Sequence, residues 1–424
     1  MAIIKPFKAV TYNQEKVKDL SKVVCPPYDV ISPAKQVAYY QADPFNFIHI
    51  LLGKDIPGED KYARAGDYFN EWLINKILTQ DARPAIYFYS QDYRIKGEKR
   101  TRLGFISLLR LEDKESAIFK HEHTRPAPKE DRLKLTRQVH ANLSPIFCVF
   151  LDKKRIIQRI FTKYIKENAS FIDLTDDEGT VHKLWRIDDS GILKGIEEAM
   201  RQEDVYIADG HHRYEVACAY RDEMRQEKGN CTGEESYNYV LSYFTNTDPH
   251  GLYIFPIHRL LKLDKGYDTK DFNNTLKEYF DVEEVRDKAR FFFLLEKSGR
   301  SEHVIGMYKD KRYWLLRLKN VKILDKELAE KPKDYRTLDV SILNHLVFKK
   351  IFAIENSENL IFSPHSEEFI AKVDSDSSCI AFFLNPVRME QIIAVANNGE
   401  RMPAKSTYFY PKVLSGLVIN KHEE

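Results

Sequence analysis

Asp209, Gly210, His211, His212 and Arg213 follow four apolar or aromatic residues in the stretch VYIADGHHRYEVACAY, Val205 to Tyr220. A carboxylate, two imidazoles and a guanidinium at neighbouring positions can bind an anion, ligate a metal or move a proton. Val205 to Ala208 reads as a buried strand and Asp209-Gly210 as a turn. Beyond them Val216, Ala217, Tyr220 and Met224 share one helical face, which predicts His211, His212 and Arg213 in the first turn of a helix. The first N–H groups of a helix lack internal partners and carry the positive end of its dipole. Cationic side chains there oppose that dipole, and a bound anion removes the conflict. A phosphate would accept hydrogen bonds from the free N–H groups and both imidazoles, and a two-pronged bond from Arg213. Gly210 would let the backbone come close, and Asp209 would act on what lies near the phosphate. The plainer alternative has Asp209 capping the helix and Arg213 paired with Glu215 or another carboxylate. His211 and His212 would point about 100° apart, which disfavours one shared metal ion.

Three other segments carry usable groups. In Lys120-His121-Glu122-His123-Thr124-Arg125, ahead of a Pro-x-Pro break, an extended chain would set His121 and His123 on one face with Glu122 opposite. That is a metal pair or, equally, a solvated polar loop. Glu122 is a second candidate base, His123 and Arg125 are candidate phosphate contacts, and Arg132, Arg137, His140 and Asn142 suit phosphates or an ordinary helix surface. Cys25-Pro26-Pro27-Tyr28-Asp29 is a stiff loop that can aim Tyr28 and Asp29 at a substrate. Gly399 to Thr407, GERMPAKST, offers Arg401, Lys405 and Ser406 in a loop that Pro403 keeps from being helical, and reads as a second anion-contacting loop.

These groups need a scaffold, and 424 residues exceed one ordinary core. The runs AIYFYSQDYRI and TRLGFISLLRL alternate apolar and polar residues around Lys96-Gly97-Glu98, a hairpin signature. PIFCVFL, Val181 to Ile187, YNYVLSYFTN, GLYIFPI, HVIGMY, RYWLLRL and SCIAFFLNP read as further strands, with helices near 61–78, 271–280 and 339–352. Strands and helices mix without strict alternation, so the expected class is α+β, with mixed sheets and packed helices. Three segments are expected: 1–152, 153–262 with the Asp209–Arg213 motif, and 263–424.

With 66 basic and 64 acidic residues the net charge is +2, so no global field points to nucleic acid or an anionic membrane. The N-terminus MAIIKPFKAV lacks a signal-like apolar core and no apolar run reaches membrane-spanning length, so a cytoplasmic location is expected. Five scattered cysteines without a C-x-x-C argue against a disulfide frame or a thiolate zinc site. No G-x-x-x-x-G-K-[ST] loop, no G-x-G-x-x-G after a strand and no H-R-D loop with D-F-G occurs. Nucleotide chemistry would therefore rest on the Asp209–Arg213 turn.

The segments CPPYDVIS, HEHTRPAPKEDRL, NLSPIF, IADGHHRYEVA, FFLNP and GERMPAKSTYFYPKVLSGL resemble, across nearly the whole chain, the domain-of-unknown-function family numbered one thousand and fifteen. The turn G-x-H-R opening a helix is also similar to the phosphate-binding signature of the ParB/sulfiredoxin superfamily, and DGHHR to that of its free-serine kinases. This second resemblance implies a ParB/sulfiredoxin-like strand-turn-helix in which Gly210, His211, His212 and Arg213 hold nucleotide phosphates and Asp209 lies near the transferred group. It further implies ATP or ADP as donor, magnesium, and free L-serine as acceptor. His211 stands where sulfiredoxin has its essential Cys, which argues against sulfinic acid reduction, and no helix-turn-helix reader follows.

The expected activity is phosphoryl transfer from a nucleotide to the hydroxyl of a small metabolite. His211, His212 and Arg213 would neutralise the moving group, Asp209 or Glu122 would take the proton, and a carboxylate with phosphate oxygens would hold magnesium. Arg401 and Lys405 would reach the substrate carboxylate or the nucleotide tail. The alternatives are a metal-dependent hydrolase with His121, His123 and Asp209 around an activated water, and a non-catalytic nucleotide sensor. Partners would be small molecules, not nucleic acid or membrane; oligomeric state stays open, a homodimer being one option.

Overall fold

The alternating run Ile86–Ile95 pairs antiparallel with Glu98–Arg110, from Ile95 opposite Glu98 to Tyr87 opposite Ile106. The turn takes left-handed Lys96 and Gly97, with φ of 50° and 84°, a geometry that matches the twist of the flanking strands. This hairpin is the centre of a nine-stranded sheet in the computed structural model, which describes residues 2–113, 117–122, 124, 126–229, 231–263, 272–354 and 359–423. His123 and Arg125 lie outside the described residues.

Across the sheet the order is Ile118–Phe119, Val205–Asp209, Ile146–Phe150, Tyr239–Asn246, Glu98–Arg110, Ile86–Ile95, Val181–Ile187 and Ile172–Thr175, with Ile4–Lys5 also on Glu98–Arg110. Two pairings are parallel, Val205–Asp209 with Ile118–Phe119 and Tyr239–Asn246 with Ile146–Phe150. One face carries Phe88, Phe105, Cys148, Ile207 and Phe244, which pack with Ile157, Phe161, Ile196, Met200, Tyr214 and Ala217 of the helices Ile156–Glu167, Ser190–Met200 and His211–Lys228. Their burial supplies the apolar driving force of this core. The protein is α+β, with mixed sheets and packed helices.

The chain divides into two compact units. The first holds 1–120, 124–253 and 411–424, and contains the nine-stranded sheet; the second holds 121–123 and 254–410. These units do not follow the segments 1–152, 153–262 and 263–424. Residues on both sides of position 152 supply strands of one sheet, and the last fourteen positions return to the first unit, because strand pairing joins residues distant in sequence. The second unit has a fully antiparallel six-stranded sheet, ordered Phe280–Val285, Arg312–Leu318, Val304–Lys309, Cys379–Phe383, His258–Lys262, Leu360–Ser363. Phe291, Leu295, Phe369 and Val373 cover one of its faces.

One local expectation is corrected. The polar stretch after Thr124 is not a Pro-x-Pro break, because a helix runs from Pro126 to Val139. Pro126 and Pro128 both fall in its first turn, where no N–H is required for an internal bond and the fixed φ suits a helix. Among the described residues no helix is long and apolar enough to cross a membrane.

Candidate functional site

The strand Val205–Asp209 ends in a bulge. Tyr206 faces Val149 and Ile207 faces Cys148, but the next partner, Phe147, is met by Asp209. One extra residue, Ala208, is thus accommodated, and such a bulge re-aims the side chains after it. Asp209 shares the register position of Phe147 on the sheet face away from the core that holds Ile207 and Cys148. Without the bulge its carboxylate would fall at an apolar position.

Gly210 follows with φ +89° and is the N-cap of the helix His211–Lys228, contributing no side-chain cap bond. A Cβ there would stand 2.9 Å from Cζ and Nη2 of Arg213, so the guanidinium folds back over the glycine. The left-handed dihedral favours glycine, and any side chain here would also push the Arg213 guanidinium aside. His211 is buried, His212 and Arg213 partly so. The three lie in the first helical turn, as their spacing predicts. Asp209 is not the cap, and Arg213 pairs with Asp209 rather than with Glu215. Glu215 instead accepts from Thr124 at 2.5 Å and Lys129 at 3.1 Å.

Arg213 Nη1 donates to the Pro145 carbonyl, and Nη2 lies 3.5 Å from Asp209 Oδ2. The same oxygen accepts from Lys412 Nζ at 3.3 Å. The Asp209 side chain is 20% exposed and that of Lys412 12%. Burial opposes ionisation of Asp209, yet Lys412, Arg213 and His211 outweigh it and hold the carboxyl well below the usual carboxylate range. Asp209 is therefore an anion throughout the neutral range.

Beside Arg213 lies a small cleft lined by Tyr28, Arg132, Asn142, Ser144, Leu51 and Val216 among others. The Arg132 guanidinium stacks over the Tyr28 ring at 4.5 Å and donates to the Leu51 carbonyl at 2.6 Å. Burial pushes the Tyr28 phenol up to about 12, with Asp29 adding to the shift and Arg213 and Arg132 opposing it. Tyr28 thus stands at the cleft, whereas Asp29 is exposed.

Glu122, Arg401, Lys405 and Ser406 belong to the second unit. Glu122 bridges to Met402 and accepts from the Lys405 N–H at 3.1 Å. Buried His121 accepts the Met402 N–H on its carbonyl at 2.7 Å, and its Nε2 is 3.4 Å from Thr407 Oγ1. Ser406 is buried with its hydroxyl donated to the Pro403 carbonyl, and Lys405, at φ 58°, is exposed. Arg259, only 1% exposed, donates to the carbonyls of Ile257 and Lys405, and burial lowers its guanidinium to about 9. Arg401 is partly buried, its N–H bonded to Glu400. The structure gathers Glu122, Lys405 and Ser406 around one loop, and Asp209 to Arg213 with Tyr28 around another.

Sequence reasoning missed Lys412. It sits in YFYPKVLSGL with no charged neighbour nearby in the chain to single it out, and its partner is remote. Among the described residues no group of three or more His, Cys, Asp or Glu is placed to hold a metal ion.

Fold and junction define a two-unit α+β protein with a bulged strand, a left-handed glycine and a helix opening on His-His-Arg. The chain belongs to the family described as Protein of unknown function (DUF1015), whose profile matches residues 4–341. No curated protein matches it. It is similar to a solved structure of free serine kinase in complex with AMP, at 12% identity and TM-score 0.35, over 72% of this chain and 88% of that one. It is also similar to SbnI with C-terminal truncation from Staphylococcus aureus, at 12% identity and TM-score 0.37, over 73% and 85%. A conserved hypothetical protein from Pyrococcus furiosus matches at 12% identity and TM-score 0.32, over 69% and 87%. Likeness this loose carries no argument of its own.

Proposed function

We propose that the protein is a cytoplasmic, nucleotide-dependent phosphotransferase that acts on the hydroxyl of a small metabolite, with free L-serine as the acceptor suggested by the DGHHR resemblance. The observation that carries this reading is the junction itself. A helix start without a side-chain cap, Arg213 folded over Gly210, and a second cation on Asp209 place surplus positive charge where a phosphate would sit. Catalysis of phosphoryl transfer is mostly positioning and charge stabilisation, which such an arrangement can supply.

In this reading the N–H groups of the first turn, His211, His212 and Arg213 hold the donor phosphates, and the cleft beside Tyr28 and Arg132 receives the rest of one ligand. Asp209 orients the acceptor hydroxyl and takes its proton late, when the alcohol oxygen has already bonded phosphorus and become acidic. Its lowered proton affinity makes it a weak base for any earlier transfer. Magnesium, held by Asp209 and phosphate oxygens, would supply further neutralisation when bound, and a single protein carboxylate fits an ion that keeps most of its shell as phosphate and water.

The test is incubation of the purified chain with ATP or ADP, magnesium and a panel of hydroxy compounds including L-serine, followed by phosphorus NMR. A new phosphomonoester resonance with consumption of the nucleotide is the expected result. Intact nucleotide with every acceptor would refute the transferase reading.

A further inference from the structure

We propose that Lys412 is a phosphate-binding cation of the Gly210–Arg213 site, held by Asp209 until an anion arrives, and that buried Arg102 and Gln91 position it. This rests on the proposed phosphate site.

The pairing at Asp209 is longer than the two-pronged pair of Arg137 with Glu223 in the same unit. Lys412 and Arg213 approach one oxygen of Asp209 at 3.3 and 3.5 Å. Arg137, by contrast, grips both oxygens of Glu223 at 2.9 and 2.6 Å. Short two-pronged pairs hold geometry, whereas a shared oxygen at longer range is easily exchanged for another anion. Two cations against one carboxylate also leave a positive surplus next to the positive end of a helix.

The anchoring of Lys412 is elaborate. Gln91 donates to its carbonyl at 2.9 Å, and Arg102 Nη2 donates to the Pro411 carbonyl at 2.5 Å. Arg102 also donates to Gln91 Oε1, so the two side chains lock each other, and both are fully buried. The Arg102 guanidinium lies 4.6 Å over Phe147, the residue in register with Asp209. Two positions on, the Leu414 N–H meets the Tyr89 hydroxyl, which bonds His182 at 2.6 Å, itself 2.9 Å from Asp176. Apolar side chains would tie down a terminal segment at less desolvation cost than this row of buried polar groups. What the row adds is a fixed carbonyl on either side of the Lys412 Cα, and hence a fixed origin for its ammonium.

The test uses titration calorimetry of the full chain with pyrophosphate in chelator-treated buffer, at low salt. Lys412→Met should weaken binding at least tenfold, while Lys412→Arg, which keeps the charge, should stay within threefold of wild type. Asp209→Asn should tighten metal-free binding several-fold, since it removes the anion that competes with the ligand; a merely structural ion pair would weaken or leave it. Gln91→Met should weaken pyrophosphate binding in protein that circular dichroism shows is still folded, with Lys412→Arg as the folded, charge-retaining reference. Wild type that binds while Lys412→Met binds equally would overturn this inference alone. Wild type that binds no pyrophosphate and no nucleotide would overturn the phosphate site itself.

Discussion

Lys412 Nζ lies 3.3 Å from Asp209 Oδ2 across a separation of 203 positions, and this contact joins the C-terminal segment to the start of the His211–Lys228 helix. It gives Asp209 a fixed charge and sets the electrostatics of the junction.

Arg213→Lys should weaken nucleotide binding about 10- to 100-fold, the worth of one or two charge-assisted hydrogen bonds. Lysine cannot donate to the Pro145 carbonyl and reach Asp209 at once, as the guanidinium does. Calorimetric titration with ADP checks this, and unchanged affinity would remove Arg213 from the site.

Gly210→Ala should destabilise the first unit by about 1–3 kcal/mol, the ordinary strain of a side chain in the left-handed region with an added clash. Here φ is +89° and the new methyl would meet Arg213 Cζ at 2.9 Å. Denaturant midpoints measure the first effect. Ligand affinity should fall with it, because the guanidinium must move.

Asp209 has a folded pKa below its unfolded one, so its stabilising contribution is complete above about pH 4 and is lost as pH falls through the folded value. The stability gap between wild type and Asp209→Asn should then be constant from pH 5 to pH 8 and close only in stronger acid. Urea unfolding across that range tests the sign. A gap that closes near pH 6 would contradict it.

His422 acts in the same direction over a higher pH window. Burial, with the nearby His140, pushes its imidazole down to about 4, against a weaker upward pull from the Ser236 backbone. The neutral ring stacks on Tyr220 at 5.3 Å and faces Asn142 at 3.4 Å. Its unfolded pKa is near the usual 6.5, so the unfolded chain gains a proton first and stability falls as pH drops from about 6.5 to about 4. His422→Phe, which keeps the stacked ring, should flatten that slope by about 2–4 kcal/mol over the window. Thermal melts of both proteins at matched pH values read it directly.

The local pattern was readable wherever a short window fixed the outcome. Alternation in Ile86–Ile95 and Glu98–Arg110 gave a hairpin with its turn at Lys96-Gly97, and the apolar spacing of Val216, Ala217 and Tyr220 gave the helix that opens on His211. The Pro126–Val139 helix is hidden in the sequence because Pro-x-Pro signals a break anywhere except in a first helical turn. The bulge at Ala208 left no mark, since β-rich residues around it fit a regular strand equally well.

By itself, then, the sequence determined the strand, the turn at Asp209-Gly210 and the order His-His-Arg at the helix start, because each follows from residue preference and periodicity within a few residues. Tertiary structure alone decided that Asp209 turns to the Phe147 side of the sheet, that Lys412 meets it, and that Glu122 and Lys405 gather on a different unit. Those outcomes depend on strand pairing and on buried polar groups such as Arg102 and Gln91, whose partners are chosen by packing of the whole sheet and not by neighbours along the chain.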